Sequence, residues 1–543
     1  MNNKVIRIVS VLMVIYSSLA LQAQWNTDPS INNSICLAAY GQPGALVIGD
    51  GDHGAIYAWT DWRNGSNTDI YTQKINSAGY TQWTNDGVAI CTSSNNQSHL
   101  TMTGDGSGGA IMAWLDNRTG SGYDIYAQRI NSSGSVQWSA NGVLICPLAN
   151  EEIVPTIVSD GNGGAIIVWA DNRNGNRDIF AQKINSSGVI QWINNGVVVC
   201  NESNYQANPA ATISDGAGGA ITSWQDQRNG NADVYSQRIS SSGTVQWTAN
   251  GVAICTETKD QYVYWLTGDG NSGAIIAWHD VRSVTNNKIY AQRVNLNGAV
   301  QWTANGILLC TATNSQYYPQ MVSDGNGGAL LTWMDSRVGA SYYDIYAQRI
   351  DANGLFHTGW SSDGVAICIA TDYQQYPAIA SDGNSGAIIT WEDRRNGSKW
   401  DIYSQRINSS GSVQWTANGK VICSATNNQT NPHITSDENA GAIICWSDAR
   451  NGTSHIYTSQ IDASGNIGTL PVELVSFKAN VESESVKLNW QTATEVNNYG
   501  FEVERSLNLR GLGSDDGNSN LGGFVSIRFI EGSGTSNSPK ESL

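Results

Sequence analysis

A short, unbroken apolar run ending in tryptophan returns at intervals along this chain. In its third occurrence it reads Ala165-Ile166-Ile167-Val168-Trp169. A strand with one wet face alternates apolar and polar side chains. This run does not, so both of its faces are predicted to be covered. The surrounding pattern completes a four-strand unit. Pro155 to Ser159 reads as a first strand, and Asp160-Gly161-Asn162-Gly163-Gly164 as the turn into the second. Asn174-Gly175 marks a hairpin, because both residues tolerate positive φ. Asp178 to Ile184 is the third strand, Ser186-Ser187-Gly188 the next turn, and Gln191-Trp192 through Cys200 the fourth.

The unit is repeated. A Trp-x-Asp-x-Arg motif occurs at Trp59, Trp114, Trp169, Trp224, Trp278, Trp333, Trp391 and Trp446, in steps of 55, 55, 55, 54, 55, 58 and 55 residues. Its aspartates are Asp61, Asp116, Asp171, Asp226, Asp280, Asp335, Asp393 and Asp448, and its arginines Arg63, Arg118, Arg173, Arg228, Arg282, Arg337, Arg395 and Arg450. A four-strand period of this length falls near the propeller range and is too long for one turn of a β-solenoid. The phase of the array points to closure. Gln24-Trp25 through Cys36 matches a fourth strand, and no Gln-Trp follows the last unit. The opening segment therefore supplies the strand that the final unit lacks, which removes two open sheet edges. The fold expected is all-β: an eight-bladed β-propeller of four-strand blades over residues 24–467, its last blade closed by the N-terminal strand, then a partial β-sandwich tail over 468–543. The eight motif tryptophans read as structural, a ring of packing between blades, with a sugar-stacking role as the alternative.

Composition narrows the setting. Charged residues make up 14% of the chain, with 57 glycines and 20 tryptophans, which suits an extracellular all-β protein. The net charge of −17 and the scattered Lys and Arg exclude a nucleic-acid partner. Residues 1–23 read as a signal peptide, with Lys4 and Arg7 before the apolar stretch Ile8 to Leu19 and small Ala20 and Ala23 after it. That stretch is too short for a comfortable membrane span, and no later segment is long enough to be one. The expected location is secreted or on the outer cell surface, with the periplasm as the alternative.

Two resemblances follow from particular residues. The order Ser159-Asp160-Gly161, apolar strand, Arg173-Asn174-Gly175, then Asp178-Ile179-Phe180 resembles the blades of TolB-like propellers. It is also distantly similar to the Asp-box turn of sialidase-like propellers, through Asp160, Gly163 and Trp169, although the spacing to Trp is longer. Both imply a propeller and neither implies an activity. The tail segments Leu470-Pro471-Val472-Glu473-Leu474, Leu488-Asn489-Trp490, Thr494 to Ser506 and Gly532 to Asn537 resemble a fibronectin type III-like module. Such modules are frequent near the C-termini of secreted Bacteroidetes proteins. About four strands are legible where a full sandwich needs about seven.

Candidate chemistry divides into four sets. The Asp-x-Arg pairs read as a brace repeated in each blade, since one active site needs asymmetry. The turns Asp160 to Gly164 and Asp171 to Asp178 supply oxygen ligands, so calcium is the alternative to plain turn chemistry; no other cofactor is implied. Cys36, Cys91, Cys146, Cys200, Cys255, Cys310, Cys368 and Cys423 share one repeat position, and Cys445 lies in a second strand. Equivalent outer-strand positions in adjacent blades lie roughly 15 Å apart at normal strand spacing. A disulfide needs Cα atoms within about 7 Å, so free, buried thiols are expected. No His cluster accompanies them to bind zinc.

The fourth set is a rim. Gln42, Gln97, Glu152, Gln206, Gln261, Gln316, Gln374 and Gln429 lie six residues after the repeat Cys, on connections expected to share one face of the propeller. Beside them lie Tyr205, Tyr262, Tyr264, Trp265, Tyr317, Tyr318, Tyr373 and Tyr376. Amides beside aromatic faces suit sugars or peptides; the alternative is that the amides brace loop backbones. Three functions stay open. One is a non-catalytic propeller for binding or adhesion to a glycan or protein. The second is a glycan-active enzyme of sialidase-like type, which requires a converging carboxylate pair. The third is a structural surface component. Glu152, Glu202, Glu257, Asp260 and Asp372 are the scattered loop carboxylates.

Overall fold

A computed structural model describes residues 25–120, 122–146, 152–283, 285–339, 342–468, 473–482, 485–506, 524–536 and 540–542, with side chains through residue 468 except a few in the innermost strands of blades three and four. The proposed signal peptide lies outside the described residues. No helix among them is long and apolar enough to cross a membrane. Residues 25–468 form one compact unit and the C-terminal segment another.

The first unit is an eight-bladed β-propeller. Each blade is an antiparallel four-strand sheet in sequence order, over residues 45–91, 97–146, 152–200, 206–255, 261–308, 316–368, 374–423 and 429–461. The last blade has three strands of its own and takes its fourth from Asn33–Cys36, through Asn33↔Thr458, Ser34↔Tyr457 and Cys36↔Ile456. Innermost strands touch their neighbours in order around the axis, and Ala45–Gly49 of blade one meets Gln429–Ser436 of blade eight. The ring is closed.

Its core is divided into eight parts, each between two blades. At the closure, Trp25, Ile35, Cys36, Ile443, Cys445 and Ile456 pack against Ala45, Tyr57, Trp59 and Ile75. This division explains the unbroken apolar runs. Ala165–Asp171 is buried along its whole length because one face meets blade two and the other blade four.

The outermost strand is shorter than its sequence pattern implies. In blade three it spans only Val197–Cys200. Trp192 sits in the turn before it, and its indole N–H donates to the Ser241 carbonyl of blade four at 3.2 Å. The indole lies over Gly243, where an added Cβ would sit 2.8 Å from the ring and φ is +84°. Both requirements select glycine. The same bond recurs from Trp83, Trp138, Trp247, Trp302, Trp360 and Trp415 at 2.9–3.2 Å. Trp25 completes the series with a 2.8 Å bond to Ser77 of blade one. A second tryptophan ring therefore latches each blade to the next.

The C-terminal unit is one antiparallel sheet in the order Glu473–Glu482, Ser485–Ser506, Phe524–Ser536, with Lys540–Ser542 also paired to the long second strand. The second sheet that a sandwich requires is not among the described residues.

Candidate functional site

The repeated charges form the frame that holds the site. In every blade the motif Trp donates its indole N–H to the Asp Oδ2 two residues on, at 2.7–3.0 Å. The motif Arg pairs with that carboxylate, at 2.6 Å in seven blades and also between Arg173 and Asp171. Its guanidinium lies 3.5–3.9 Å above a Tyr or Phe ring of the third strand. It also donates to the repeat Cys Sγ of the preceding blade at 3.1–3.4 Å.

All nine cysteines are free and buried. Eight of them are more than apolar filler, since each sulfur accepts an arginine N–H across a blade interface. Burial pushes the Cys36 and Cys423 thiols up to about 12, so they stay protonated.

A second brace lies in the turn between the first two strands. Asp160 Oδ1 accepts the backbone N–H groups of Asn162 and Gly164, and its Oδ2 pairs with Lys183. Asp105, Asp215, Asp269, Asp324 and Asp382 do the same with arginines, all five of which also donate to a backbone carbonyl in the turn after the third strand of the following blade, as Arg293 does to Ala352. The carboxylate oxygens proposed as calcium ligands are thus occupied by protein donors.

The glutamine ring is fully buried. Gln42, Gln97, Gln206, Gln261, Gln316, Gln374 and Gln429 each have 0% exposure. Their amide nitrogens donate to carbonyls of their own loops, as Gln97 does to Asn95 at 2.9 Å and Gln429 to Asn427 at 3.1 Å. Glu152 opens the equivalent strand in blade three, and its side chain lies outside those described. These amides shape the rim from beneath.

Directly after the glutamines the innermost strands bulge. In blades two to eight the register with the second strand slips at this point. The residue two after the ring position has positive φ at His99, Val154, Tyr318, Tyr376 and Asn431, between 37° and 53°. A bulky side chain there costs of order 1–3 kcal/mol and persists only where its surroundings impose it.

The bulges of blades five to seven carry the aromatic residues. Tyr264 meets Tyr318 edge-on at 5.4 Å, and Tyr318 meets Tyr376 at 5.5 Å. A second file runs behind them. His279 contacts Tyr262, Tyr264 and Tyr317; Tyr317 meets Tyr343, Tyr343 meets Tyr373, and Tyr373 meets Tyr342 and Trp400. The structure therefore gathers six of the expected aromatics, Tyr262, Tyr264, Tyr317, Tyr318, Tyr373 and Tyr376, into one arc across three blades. Tyr318 and Tyr376 remain 39% and 45% exposed. Trp265 is exposed on the same strand as Tyr264, and Tyr205 lies in blade four, stacked with Arg177.

Two buried polar groups back the arc. His279 has its Nδ1 buried without a hydrogen-bond partner, and burial lowers its pKa to about 4, so the ring is neutral. Burial also raises the Glu392 carboxyl, opposed by hydrogen bonds. Its two oxygens accept from Gln375 Nε2 at 2.9 Å and the Asn431 backbone N–H at 2.7 Å, tying the bulges of blades seven and eight together. Burial pushes the Tyr264 phenol up to about 12, so its hydroxyl is neutral.

Sequence reasoning missed His279, Tyr342, Tyr343 and Trp400. The signal was departure from the repeat. His279 and Glu392 occupy the position between motif Trp and Asp, which elsewhere holds Thr60, Leu115, Ala170, Gln225, Met334 and Ser447. Tyr343 and Trp400 directly precede the third strand, where blade two also has an aromatic, Tyr123, and the other blades place Thr68, Arg177, Ala232, Asn287 and Ser454.

No protein-family model matches the chain, and no curated protein sequence is significantly similar to it. Solved structures similar to it include a TolB from Agrobacterium tumefaciens, 12% identical with a TM-score of 0.30, covering 59% of this chain and 93% of that one. An α-L-arabinofuranosidase from Fusarium graminearum is 9% identical, with a TM-score of 0.34 over 81% of this chain and 99% of that one. Dipeptidyl peptidase 4 from Porphyromonas gingivalis is 11% identical, with a TM-score of 0.43 over 85% of this chain and 65% of that one. Scores this low carry no functional argument, and the propeller rests on its own strand pairing.

Proposed function

We propose that this chain is a non-catalytic binding propeller that holds a carbohydrate against the aromatic arc of blades five to seven. The observation that carries this reading is the delivery of Tyr264, Tyr318 and Tyr376 by three consecutive bulged strands, with Tyr318 and Tyr376 held at φ of 53° and 50°. The bulge recurs around the ring, but only blades five to seven set tyrosines on it side by side with two of them about two-fifths exposed, which packing alone does not require. Aromatic faces take the apolar faces of sugar rings, while phenol and amide groups serve their hydroxyls. The carboxylates support binding over turnover. Glycoside cleavage by the usual route uses two carboxyl groups roughly 5–9.5 Å apart with free oxygens. Glu392 and Asp260 both touch the arc and both are engaged by the fold: Glu392 accepts from Gln375 and the Asn431 N–H, and Asp260 from the Ala232 N–H and the Tyr262 hydroxyl.

The test is a glycan array with the full chain, followed by titration of the retained sugars against Tyr318→Ala and Tyr376→Ala. Each variant is expected to lose about tenfold or more in affinity, since an aromatic contact of this kind contributes about 1–3 kcal/mol. Retention undiminished in both variants, or turnover of the bound glycan, would overturn the reading.

A further inference from the structure

We infer that the cleft between blades three and four is a second binding site, built around Arg177 for a carboxylate-bearing sugar. It has a volume of about 540 Å³ and is lined by Asn172, Asn176, Arg177, Asn204, Tyr205 and Gln227. None of these residues belongs to the aromatic arc, so this site stands or falls separately.

Among the described residues, every other arginine of the propeller except Arg394 pairs with a carboxylate. The Arg177 guanidinium has no such partner. It lies 4.8 Å from the Tyr205 ring centroid and faces the cleft. In a chain of net charge −17, an unpaired guanidinium held on an aromatic face is a recognition group awaiting an anion.

The walls are preorganised. The Arg177 carbonyl accepts the Gln206 N–H at 2.8 Å, and the Tyr205 carbonyl accepts the Gln227 N–H at 2.8 Å. Asn176 Nδ2 donates to the Glu202 carbonyl at 3.1 Å and to the Asn204 carbonyl. Both loops are fixed before a ligand arrives, which lowers the cost of binding. The cation is also specific to this blade. The position before the third strand holds Thr68, Tyr123, Ala232, Asn287, Tyr343, Trp400 and Ser454 in the others. The repeat frame therefore does not require it.

The chemistry selects the anion. One guanidinium presents a planar fork that matches a carboxylate with two parallel hydrogen bonds. The cleft lining holds this one guanidinium as its sole cation, so a dianionic phosphate would meet too little positive charge. The surrounding side-chain amides of Asn172, Asn204 and Gln227 suit hydroxyls, which favours a sugar acid over a simple carboxylic acid.

The experiment is calorimetric titration of the full chain with trigalacturonate and with its methyl ester. The acid is expected to bind at least about tenfold more tightly than the ester, and Arg177→Gln to abolish that difference, as expected for a charge-assisted pair. Arg177→Lys, which keeps charge but not the fork, should recover only part of it. Tyr318→Ala should leave the difference intact. The proposal is overturned if acid and ester bind alike, if Arg177→Gln binds the acid as the native chain does, or if Tyr318→Ala removes the difference. Equal affinity for a Glu-rich hexapeptide, lost in Arg177→Gln, would replace the sugar with an acidic peptide and overturn that part. Arg177→Gln should melt with the native chain, because among the described residues the guanidinium makes no ion pair.

Discussion

Replacing Trp25 with alanine should loosen the ring at one known place. Trp25 is 1% exposed and packs among residues of blades one and eight. Its indole also donates to the Ser77 carbonyl. Truncating a buried Trp costs about 3–5 kcal/mol, including the lost hydrogen bond and the residual cavity. The segment it anchors holds only three paired positions against His455–Ile461, so the loss should appear as local opening rather than global unfolding. Cys36 lies in that segment and reports on it. In the closed ring its thiol is buried and protonated, with a pKa of about 12. Once the strand detaches, the thiol returns to about 8.5 and becomes reactive. At about 1.4 kcal/mol per decade, Cys36 labelling should accelerate by about two to three and a half orders of magnitude, while the other eight thiols stay protected. The assay is native-state alkylation followed by peptide mass spectrometry, with Trp415→Ala as the control. Trp415 makes the same latch between blades seven and eight, and its loss should leave Cys36 protected. If Cys36 in Trp25→Ala reacts no faster than in the native chain, the N-terminal strand does not close the ring as argued.

Other expectations follow from the frame and the arc. Asp226→Asn should cost about 3–5 kcal/mol in urea unfolding, because it leaves Arg228 and the Trp224 indole without a buried anion; a loss under about 1 kcal/mol would make the brace a passenger. His279 has a folded pKa of about 4 against about 6.5 unfolded. The unfolded chain therefore binds the extra proton between those values, and stability should fall as pH drops from about 6.5 towards 4. His279→Phe should flatten that limb of the melting curve against pH, and native-like curvature in the variant would discount His279. Over pH 5–8 the imidazole stays neutral, so affinity at the arc should be nearly constant, and a steep change in titrations across that range would implicate another group. Excess EDTA should leave the melting temperature unchanged, because the turn carboxylates are already filled by N–H groups and cations; a clear drop would restore calcium to these turns.

Much of the architecture was legible because the chain states it eight times. The apolar runs, the Trp-x-Asp-x-Arg motif and the split phase of the array carried the blade count and the closing strand. What repetition could not convey was how far each residue reaches. Trp192 reads as part of a strand because aromatic residues favour strands. It sits in a turn because its indole finds a carbonyl 3.2 Å away on the following blade. Repeated sequence likewise made the glutamines conspicuous and said nothing of their depth. Their amide nitrogens are spent on loop carbonyls beneath the rim. The arc was half legible. Its tyrosines stood out beside the glutamines, whereas His279, Tyr343 and Trp400 come from second strands and hairpins. Their meeting depends on bulges that no local pattern announces.

The closing strand also sets an order of events in synthesis. Asn33–Cys36 is made well before its partner His455–Ile461, which comes more than four hundred residues later. Until that partner exists, the early segment has an exposed edge and no sheet to join. A ribosome or translocation channel that released the ends at different times would hold a nearly finished circle with its clasp undone.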